Sequence, residues 1–323
     1  MSSFNKISAI YFTYKRAILL DTSLKSIQKN FINLDNNINV IYHYNSEHHL
    51  SYQKLLKNFS KNINFIQRRD KNILSNNPLF LLRPLNLLWF LRWRKIVLDF
   101  NNFKYILENI LKNLKTDFVT LVPDDQIFYK KTLIPNKALE LILENKDQTY
   151  YRFFTGNHFK GKYSLPKKMN VEYYNDHGIN FFKWSNKDPH AKNLWKYRFT
   201  IEGTIFHKDA LIKFLKPILY HNPITLEALG LWESRFRNFF TIGMSSAERT
   251  SASYNINNVQ NLVQTPNSKH SVELLMNCYL KDFKIAWNLK DFDRDKLDIV
   301  PKELFLIKND KKVIFNKNII NYF

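Results

Sequence analysis

The order of strand-like and helix-like segments along the first 125 residues is the feature that most constrains the fold. Runs rich in β-branched and aromatic residues alternate with runs whose apolar residues recur at helical spacing. The strand-like runs are residues 6–14, 37–45, 62–70 and 117–125, and the helix-like runs are residues 19–31, 51–59 and 101–114. This order predicts a mainly parallel sheet with right-handed crossovers. We therefore expect an α/β fold, a central mixed sheet flanked by helices.

The remaining segments extend this pattern without a clear linker. A helix is predicted over residues 131–143, with Pro135 near its start, and short strands with long loops over residues 150–195. A Pro-initiated helix follows Asn222. The residues predicted to form its apolar face are Leu226, Leu229, Trp232 and Phe236. Residues 303–317 are typical of two short strands around a polar turn.

Composition limits the classes of partner but does not select one. The 49 Lys and Arg against 28 Asp and Glu give a formal charge of +21, which attracts nucleic acid, anionic lipid or phosphorylated substrates. The basic residues are spread along the chain, and coding bias accounts for part of the excess. The single cysteine, Cys278, excludes an internal disulfide and a multi-cysteine zinc site, and we expect it to be buried in a helix.

No segment has the pattern of a signal peptide or a membrane-spanning helix. The N-terminal apolar stretch is short, contains Lys6 and leads directly into the first strand. Residues 78–100 mix Leu, Trp and Phe with four basic residues. Two interpretations stay open for this segment: an interfacial membrane segment, or a buried segment with a basic edge.

The residues after each predicted strand are chemically distinctive. Ligands of open α/β sheets bind outside the carboxyl ends of the strands. The segments at those ends are residues 13–16, 43–45, 68–71 and 124–126, and they combine clustered cations with a carboxylate pair. Residues 12–20 contain no glycine, which argues against a dinucleotide-binding loop or a P-loop. Bound phosphates would then need side-chain cations or a metal.

Asp124 and Asp125 follow the fourth predicted strand directly. Two adjacent carboxylates at a strand end suit a hard divalent cation, which takes oxygen ligands and often keeps substrate phosphates and waters as the others. The alternative is a solvated turn after Pro123. Residue types alone do not separate these two interpretations.

Four segments in this order resemble nucleotide-sugar-dependent glycosyltransferases of the GT-A fold, and most of all bacterial enzymes that build capsule or lipopolysaccharide. The segments are "SAIYFTYKR", "TDFVTLVPDDQIFYK", "IEGTIFHKDAL" and "NPITLEALG". The resemblance covers Lys6 to about Asp282. It implies a GT-A-like, Rossmann-like domain over residues 1–282, with a nucleotide-binding half (1–130) and an acceptor half (131–282). Residues 283–323 then form a C-terminal extension with a short hairpin.

The resemblance also implies roles for particular residues. An acidic motif in this family binds Mn²⁺ or Mg²⁺ that bridges the donor diphosphate, and Asp124 and Asp125 match its position, with Gln126 in the third place. The implied donor-binding residues are Thr13, Tyr14, Arg16, Arg68, Asp70, Asp124 and Asp125. The implied acceptor or sugar contacts are Glu202, Gly203 and His158. The implied metal ligands are Asp124, Asp125 and His270.

Glycosyl transfer sets two chemical requirements. The leaving diphosphate needs positive charge, and an inverting enzyme needs a carboxylate that takes the proton of the acceptor hydroxyl. We predict Glu227 as this base and Asp125 as the second catalytic residue, with Glu202 and Glu233 as alternatives to Glu227. Glu227 is expected in the first turn of its helix, where the helix dipole favours its charge. It could equally do no more than stabilise that helix end.

The sequence therefore predicts transfer of a sugar from a nucleotide sugar to a bacterial surface-glycan acceptor, in the cytoplasm or at the anionic inner face of the cytoplasmic membrane. Two alternatives remain. A polyanion-binding protein without catalytic activity would use the cations and aromatic residues on nucleic acid. A nucleotidyltransferase shares a similar sheet, but it usually carries a Gly-rich phosphate loop that this chain lacks.

Overall fold

A computed structural model describes residues 6–35, 38–59, 61, 63–68, 102–257, 270–287, 292, 298–301 and 303–315. The predictions for residues 78–100 and for Asp70 lie outside these ranges. The helices within them are α1 (Ala17–Asn30), α2 (His49–Phe59), α3 (Phe103–Asn113), α4 (Asn136–Glu144), α5 (Lys208–Leu215), α6 (Pro223–Phe236) and α7 (Val272–Leu280).

The strands complete the set of elements. They are β1 (Ile7–Tyr14), β2 (Ile38–His43), β3 (Ile63–Gln67), β4 (Phe118–Pro123), β5 (Gln126–Phe128), β6 (Thr149–Arg152), β7 (Val171–Asp176), β8 (Ile179–Ser185), β9 (Thr204–His207), β10 (Ile242–Ser246), β11 (Ser251–Tyr254), β12 (Lys284–Ala286), β13 (Asp298–Ile299), β14 (Phe305–Lys308) and β15 (Lys311–Ile314).

Nine strands form one mixed sheet in the order β3-β2-β1-β4-β9-β6-β10-β8-β7. The first four are mutually parallel, as the alternating pattern predicted. Strand β9 runs antiparallel to both of its neighbours, β4 and β6. The predicted fold class, a central mixed sheet flanked by helices, is confirmed.

Strand β1 shows why this sheet is covered on both faces. Its side chains alternate between two hydrophobic clusters: Ile7, Ala9 and Tyr11 belong to one, and Ile10 and Phe12 to the other. Helices α1, α2 and α7 pack into the first cluster, and α3, α5 and α6 into the second. A strand buried on both faces reads as a nearly continuous apolar run, which is how β1 appears in the sequence.

Two smaller three-stranded sheets flank the main one, in the orders β13-β11-β5 and β12-β14-β15. The hairpin predicted near the C-terminus is confirmed as β14 and β15, with the register Phe305↔Ile314 to Lys308↔Lys311. Residues Leu304, Leu306 and Phe315 are buried in the same cluster as helix α1. The short hairpin therefore shares its core with the parallel half of the sheet.

Helix α6 begins at Pro223 as predicted, but its buried face differs from the prediction. Leu226 and Leu229 are buried, whereas Trp232 and Phe236 are 43% and 62% exposed and stack on each other. The helix approaches the core at Gly230, where an added Cβ would lie 2.4 Å from the Phe199 ring. The buried face of α6 thus runs through Leu226, Leu229, Gly230, Glu233 and Ser234.

Three further expectations can be compared with the structure. Helix α4 starts only at Asn136, because Pro135 is its N-cap rather than part of its interior. Cys278 is buried in helix α7, as predicted. No helix in the described part of the chain is both long and apolar enough to cross a membrane.

Helix α6 is held at its start by a reciprocal cap. The Asn222 side chain accepts from the backbone N–H of Thr225 at 2.8 Å, and the Thr225 hydroxyl accepts from the backbone N–H of Asn222 at 3.1 Å. We expect Asn222→Ala to lower the free energy of unfolding by about 1 kcal/mol, because one helix-end donor loses its partner. Urea denaturation measures this change.

Thr225→Ser is the matched control, because it keeps the hydroxyl that completes the cap. Its free energy of unfolding should stay within about 0.5 kcal/mol of the wild-type value. Equal losses in both variants would show that the side-chain cap is not what stabilises the start of α6.

Candidate functional site

One edge of the main sheet collects most of the predicted site residues. Parallel strands β1, β2, β4 and β6 end at this edge, and the antiparallel strand β9 begins there. The backbone N–H of Gly203, just before β9, donates to the carbonyl of Leu121 in β4 at 2.9 Å. Residues that precede β9 therefore lie beside the turn that follows β4.

Arg16 binds both members of the acidic pair. Its guanidinium forms a two-pronged contact with Asp124, through Nε to Oδ2 at 3.2 Å and through Nη2 to Oδ1. Its Nη1 donates to Oδ2 of Asp125 at 3.0 Å and makes a long contact of 3.5 Å with the carbonyl of Asn257. The acidic pair is thus neither a solvated turn nor free: it holds the chain's own cation.

Burial sets the electrostatics of this cluster. Asp124 is fully buried, which raises its pKa to about 6 although Arg16 acts in the opposite direction. Burial also disfavours the charged form of Arg16, but the charges of Asp124 and Asp125 outweigh it, so the pKa of Arg16 is raised. By formal charge, one guanidinium and two carboxylates give this ion-pair cluster a net charge of −1.

The turn that carries Arg16 has a left-handed residue and is held by the hydroxyl of Tyr52. Lys15 has a φ of 58°, a left-handed conformation that is uncommon for residues other than glycine. The hydroxyl of Tyr52, on α2, lies 3.1 Å from the hydroxyl of Thr13 and accepts from the backbone N–H of Arg16 at 3.3 Å. These contacts place Arg16 as the N-cap residue of α1, directly over the acidic pair.

Beside this cluster lies an aromatic and basic surface. The rings of Tyr14 and His43, at the ends of β1 and β2, stack with centroids 5.3 Å apart and an interplanar angle of 7°. The Lys15 ammonium lies 5.0 Å from the centre of the Tyr14 ring. Arg68 follows β3 and bonds through its backbone to Tyr42. The predicted donor-binding residues Thr13, Tyr14, Arg16 and Arg68 thus share one edge of the sheet.

Gln126, which stands where the acidic motif would place a third acid, has a structural role. It is fully buried on β5, and its Nε2 donates to the hydroxyl of Ser251 on β11 at 2.8 Å. Its amide also lies against Gly203, where an added Cβ would come within 2.5 Å of Nε2. A carboxylate at this position would have no N–H to donate to the Ser251 hydroxyl.

The residues present do not fit a divalent metal centre. Both oxygens of Asp124 contact Arg16, and Asp125 offers one further oxygen. His270 does not join them: its ring packs edge-on against Phe315, and no three His, Cys, Asp or Glu side chains among the described residues come together in a metal-binding group. The predicted three-ligand set of Asp124, Asp125 and His270 is therefore not assembled.

A second cluster of carboxylates lines an open cavity of about 530 Å³. Its lining residues are Phe154, Tyr163, Asn193, Leu194, Lys196, Tyr197, Thr200, Glu202, Glu227 and Arg235. The cavity thus combines two acids, two cations and several aromatic rings. A concave surface that sets a few polar groups among aromatic rings is the usual form of a small-molecule site.

Glu227 is one of the two carboxylates of this cavity. Burial raises its pKa above the ordinary value, although the Thr200 side chain, the Ile201 backbone and the charge of Arg152 favour its charged form. The first turn of α6 contains no acidic residue, so the expectation that Glu227 lies in that turn is wrong. The segment before β9, and not a place in the first helical turn, therefore favours its charged form.

Arg152, which the sequence analysis did not single out, lies beneath the cavity. It is fully buried at the end of β6 and donates to the carbonyls of Leu194 at 3.0 Å and Tyr197 at 2.5 Å. Within the described part of the chain it forms no salt bridge, but Glu202 and Glu227 act on it electrostatically while burial lowers its pKa. An arginine inside the aromatic run "YYRFF" was the available sequence signal.

Of the three predicted acceptor contacts, Glu202 lines this cavity, whereas His158 and Gly203 do not. His158 lines a separate cavity of about 420 Å³ together with Tyr129, Lys130, Asn157, Ala247, Glu248, Arg249 and Phe292. Its Nδ1 lies 3.4 Å from the carbonyl of Ala247. The three predicted acceptor residues are thus not brought together: Glu202 and His158 line different cavities, and Gly203 lies against Gln126.

No protein-family model and no curated protein matches the sequence. Among solved structures, the chain is similar to residues 1–349 of S. aureus TarS, with 16% identity and a TM-score of 0.38, over 75% of this chain and 57% of that one. The same TarS fragment in complex with UDP gives 17% identity and a TM-score of 0.37, again over 75% and 57% of the two chains.

A second type of neighbour is the 4-diphosphocytidyl-2C-methyl-D-erythritol synthase of Anaerococcus prevotii. It is 12% identical with a TM-score of 0.38, over 86% of this chain and 96% of that one. The matched part of this chain spans less than two thirds of the TarS fragment. At these identities and TM-scores the similarities identify neither a reaction nor a substrate for this chain.

Gly203 lies at the sheet edge that carries both carboxylate clusters, and it packs against Gln126. Replacing Gly203 tests whether this contact constrains the edge. The φ of Gly203 is +54°, and an added Cβ would meet the buried Gln126 side chain. Gly178 also has a positive φ, +84°, but no atom lies within 4 Å of its added Cβ. We expect Gly203→Ala to lower the free energy of unfolding by about 1–3 kcal/mol more than Gly178→Ala does.

Chemical denaturation of the two variants gives this difference, because backbone strain of similar size is common to both. Equal losses would mean that the contact between Gly203 and Gln126 does not constrain this edge of the sheet.

Proposed function

We propose that this protein is a glycosyltransferase that moves a sugar from a nucleotide sugar to a hydroxyl of a glycan acceptor. The observation that carries this proposal is the pairing of two unlike sites at one sheet edge. One is a basic and aromatic surface formed by Tyr14, His43 and Lys15. The other is an open cavity with two carboxylates, Glu202 and Glu227.

The first surface supports binding of the nucleotide. A flat ring with a cation beside it suits a nucleobase with its phosphates, because bases stack on aromatic faces and phosphates attract cations. Arg68 adds a further cation at the end of β3. The predicted donor role of Thr13, Tyr14, Arg16 and Arg68 is retained in this proposal.

The second site supports binding and activation of the acceptor. Glu227 takes the proton of the acceptor hydroxyl, the hydroxyl oxygen bonds to the anomeric carbon, and the bond from that carbon to the diphosphate breaks. The nucleoside diphosphate leaves with the bonding electron pair. Burial raises the pKa of Glu227 towards neutral pH, which suits a general base. The predicted Mn²⁺ or Mg²⁺ enters none of these steps.

The finer parts of the hypothesis remain proposals. A surface-glycan acceptor of the capsule or lipopolysaccharide type is compatible with a cavity whose rim carries Lys196 and Arg235. A formal charge of +21 supports attraction to an anionic membrane face where such acceptors are assembled.

Nucleotide binding is the first test. A panel of UDP, GDP, ADP and CDP should contain a ligand that raises the melting temperature by about 4 °C at one hundred times its dissociation constant. Tyr14→Ala should abolish this shift, because the ring that stacks on His43 is removed. Differential scanning fluorimetry measures both values.

Tyr173→Ala is the control, since Tyr173 is 65% exposed on β7, which is not part of this edge of the parallel strands. If no nucleotide shifts the melting temperature and the protein binds single-stranded nucleic acid in a salt-sensitive way, it is a polyanion-binding protein instead. Release of pyrophosphate from a nucleoside triphosphate would identify a nucleotidyltransferase.

The pH dependence of turnover tests the role of Glu227. A base must be ionised to accept a proton, so the rate should fall as the pH drops through the raised pKa of this carboxyl. Glu227→Gln should reduce turnover about 10²- to 10⁴-fold and remove this acidic limb from the pH–rate profile. Release of nucleoside diphosphate from the donor is the measured quantity.

Glu140→Gln, an exposed substitution on α4, controls for the loss of one negative charge. Glu202→Gln tests the alternative base. If Glu202→Gln flattened the acidic limb and Glu227→Gln did not, Glu202 would be the base and our assignment would be wrong.

A further inference from the structure

Arg16 stands where a divalent metal would be expected, which raises the question of what the acidic pair does. Asp124 and Asp125 directly follow β4, the position at which the sequence predicted a metal bridge to the donor diphosphate. In the structure both carboxylates point to the guanidinium of Arg16 instead. The contact joins residues 108 and 109 positions apart, so it is a tertiary feature of the fold.

The oxygens left for a metal are too few. Asp124 uses both Oδ1 and Oδ2 on Arg16. Within the described part of the chain, only Oδ1 of Asp125 has no hydrogen-bond partner among the four carboxylate oxygens. Mg²⁺ requires near-octahedral oxygen coordination, and Mn²⁺ prefers the same kind of ligand. A metal at this point would also face the positive guanidinium at close range.

Arg16 is fixed in place and is not a mobile surface residue. Its side chain is 14% exposed, its backbone is held by Tyr52, and it caps helix α1. Planar guanidinium groups match carboxylates in two-pronged geometry, which makes such contacts specific as well as strong. Moving Arg16 aside for a metal would leave Asp124, which is fully buried, without its cation.

We propose that the guanidinium of Arg16 takes the place of the divalent metal, so that the nucleotide diphosphate binds without Mn²⁺ or Mg²⁺. This inference rests on the proposed function for the identity of the ligand. The cluster of Arg16, Asp124 and Asp125 keeps one net negative charge, so it does not itself neutralise the diphosphate. That task falls to cations at the neighbouring strand ends, among which Lys15 and Arg68 are described.

The first experiment measures binding of Mn²⁺ by the full-length protein, by electron paramagnetic resonance of free Mn²⁺, with and without UDP. We expect no saturable Mn²⁺ site in the wild type after subtraction of the Mn²⁺–UDP background. Arg16→Ala frees both carboxylates from their cation and should raise the Mn²⁺ affinity at least about tenfold. Arg235→Ala removes an arginine from the cavity that Glu202 and Glu227 line, and it should leave Mn²⁺ binding unchanged.

The second experiment compares the UDP-induced rise in melting temperature in EDTA and in Mn²⁺. Equal shifts support the inference, and a shift that requires Mn²⁺ overturns it while leaving the glycosyltransferase proposal intact. If no nucleoside diphosphate shifts the melting temperature, the proposed function fails, and the Mn²⁺ titration of wild type against Arg16→Ala still decides the question. Should Arg16→Ala not fold, a saturable Mn²⁺ site in the wild type alone overturns the inference.

Discussion

The contact between Arg16 and the acidic pair is the interaction on which the edge of the parallel half-sheet depends. A fully buried carboxylate such as Asp124 is costly without a paired charge, and the guanidinium supplies both charge and matching geometry. Because Arg16 also begins α1 and touches the carbonyl of Asn257, this contact ties β1, α1, the turn after β4 and the segment after β11 together. The edge is therefore organised before any ligand binds.

The two carboxylate clusters at this edge differ because their cations differ in position. Arg16 touches its two aspartates directly, so that cluster is closed and its charges are largely satisfied. Arg152 acts on Glu202 and Glu227 from below while donating its own hydrogen bonds to backbone carbonyls. Both glutamates line the open cavity. One cluster is suited to holding structure, and the other to exchanging protons.

The sequence predicted the parallel half of the sheet well because that part is encoded locally. Alternating strand and helix periods and the residues after each strand are visible in short windows, so β1 to β4 and the edge residues Tyr14, Arg16 and Asp124 were found. Pairing between distant segments is not visible in such windows. Hence the partner of the acidic pair, the burial of Arg152 and the exposure of Trp232 and Phe236 were missed.

Because strand β9 is antiparallel, the candidate site includes residues that an all-parallel sheet would not bring to this edge. A rule that looks only after strand ends finds residues of β1, β2, β3 and β4, but an antiparallel strand brings the residues before its start to the same edge. Gly203 makes this possible, since its left-handed backbone turns the chain into β9 while its N–H bonds to Leu121. Glu202 is thereby placed beside the turn of Asp124, and it lines the same cavity as Thr200 and Glu227. Under the proposed function, the acceptor side near β9 and the donor surface at the ends of β1 and β2 then lie at one edge of the sheet, on either side of β4. Direct transfer between two substrates requires that both bind close together.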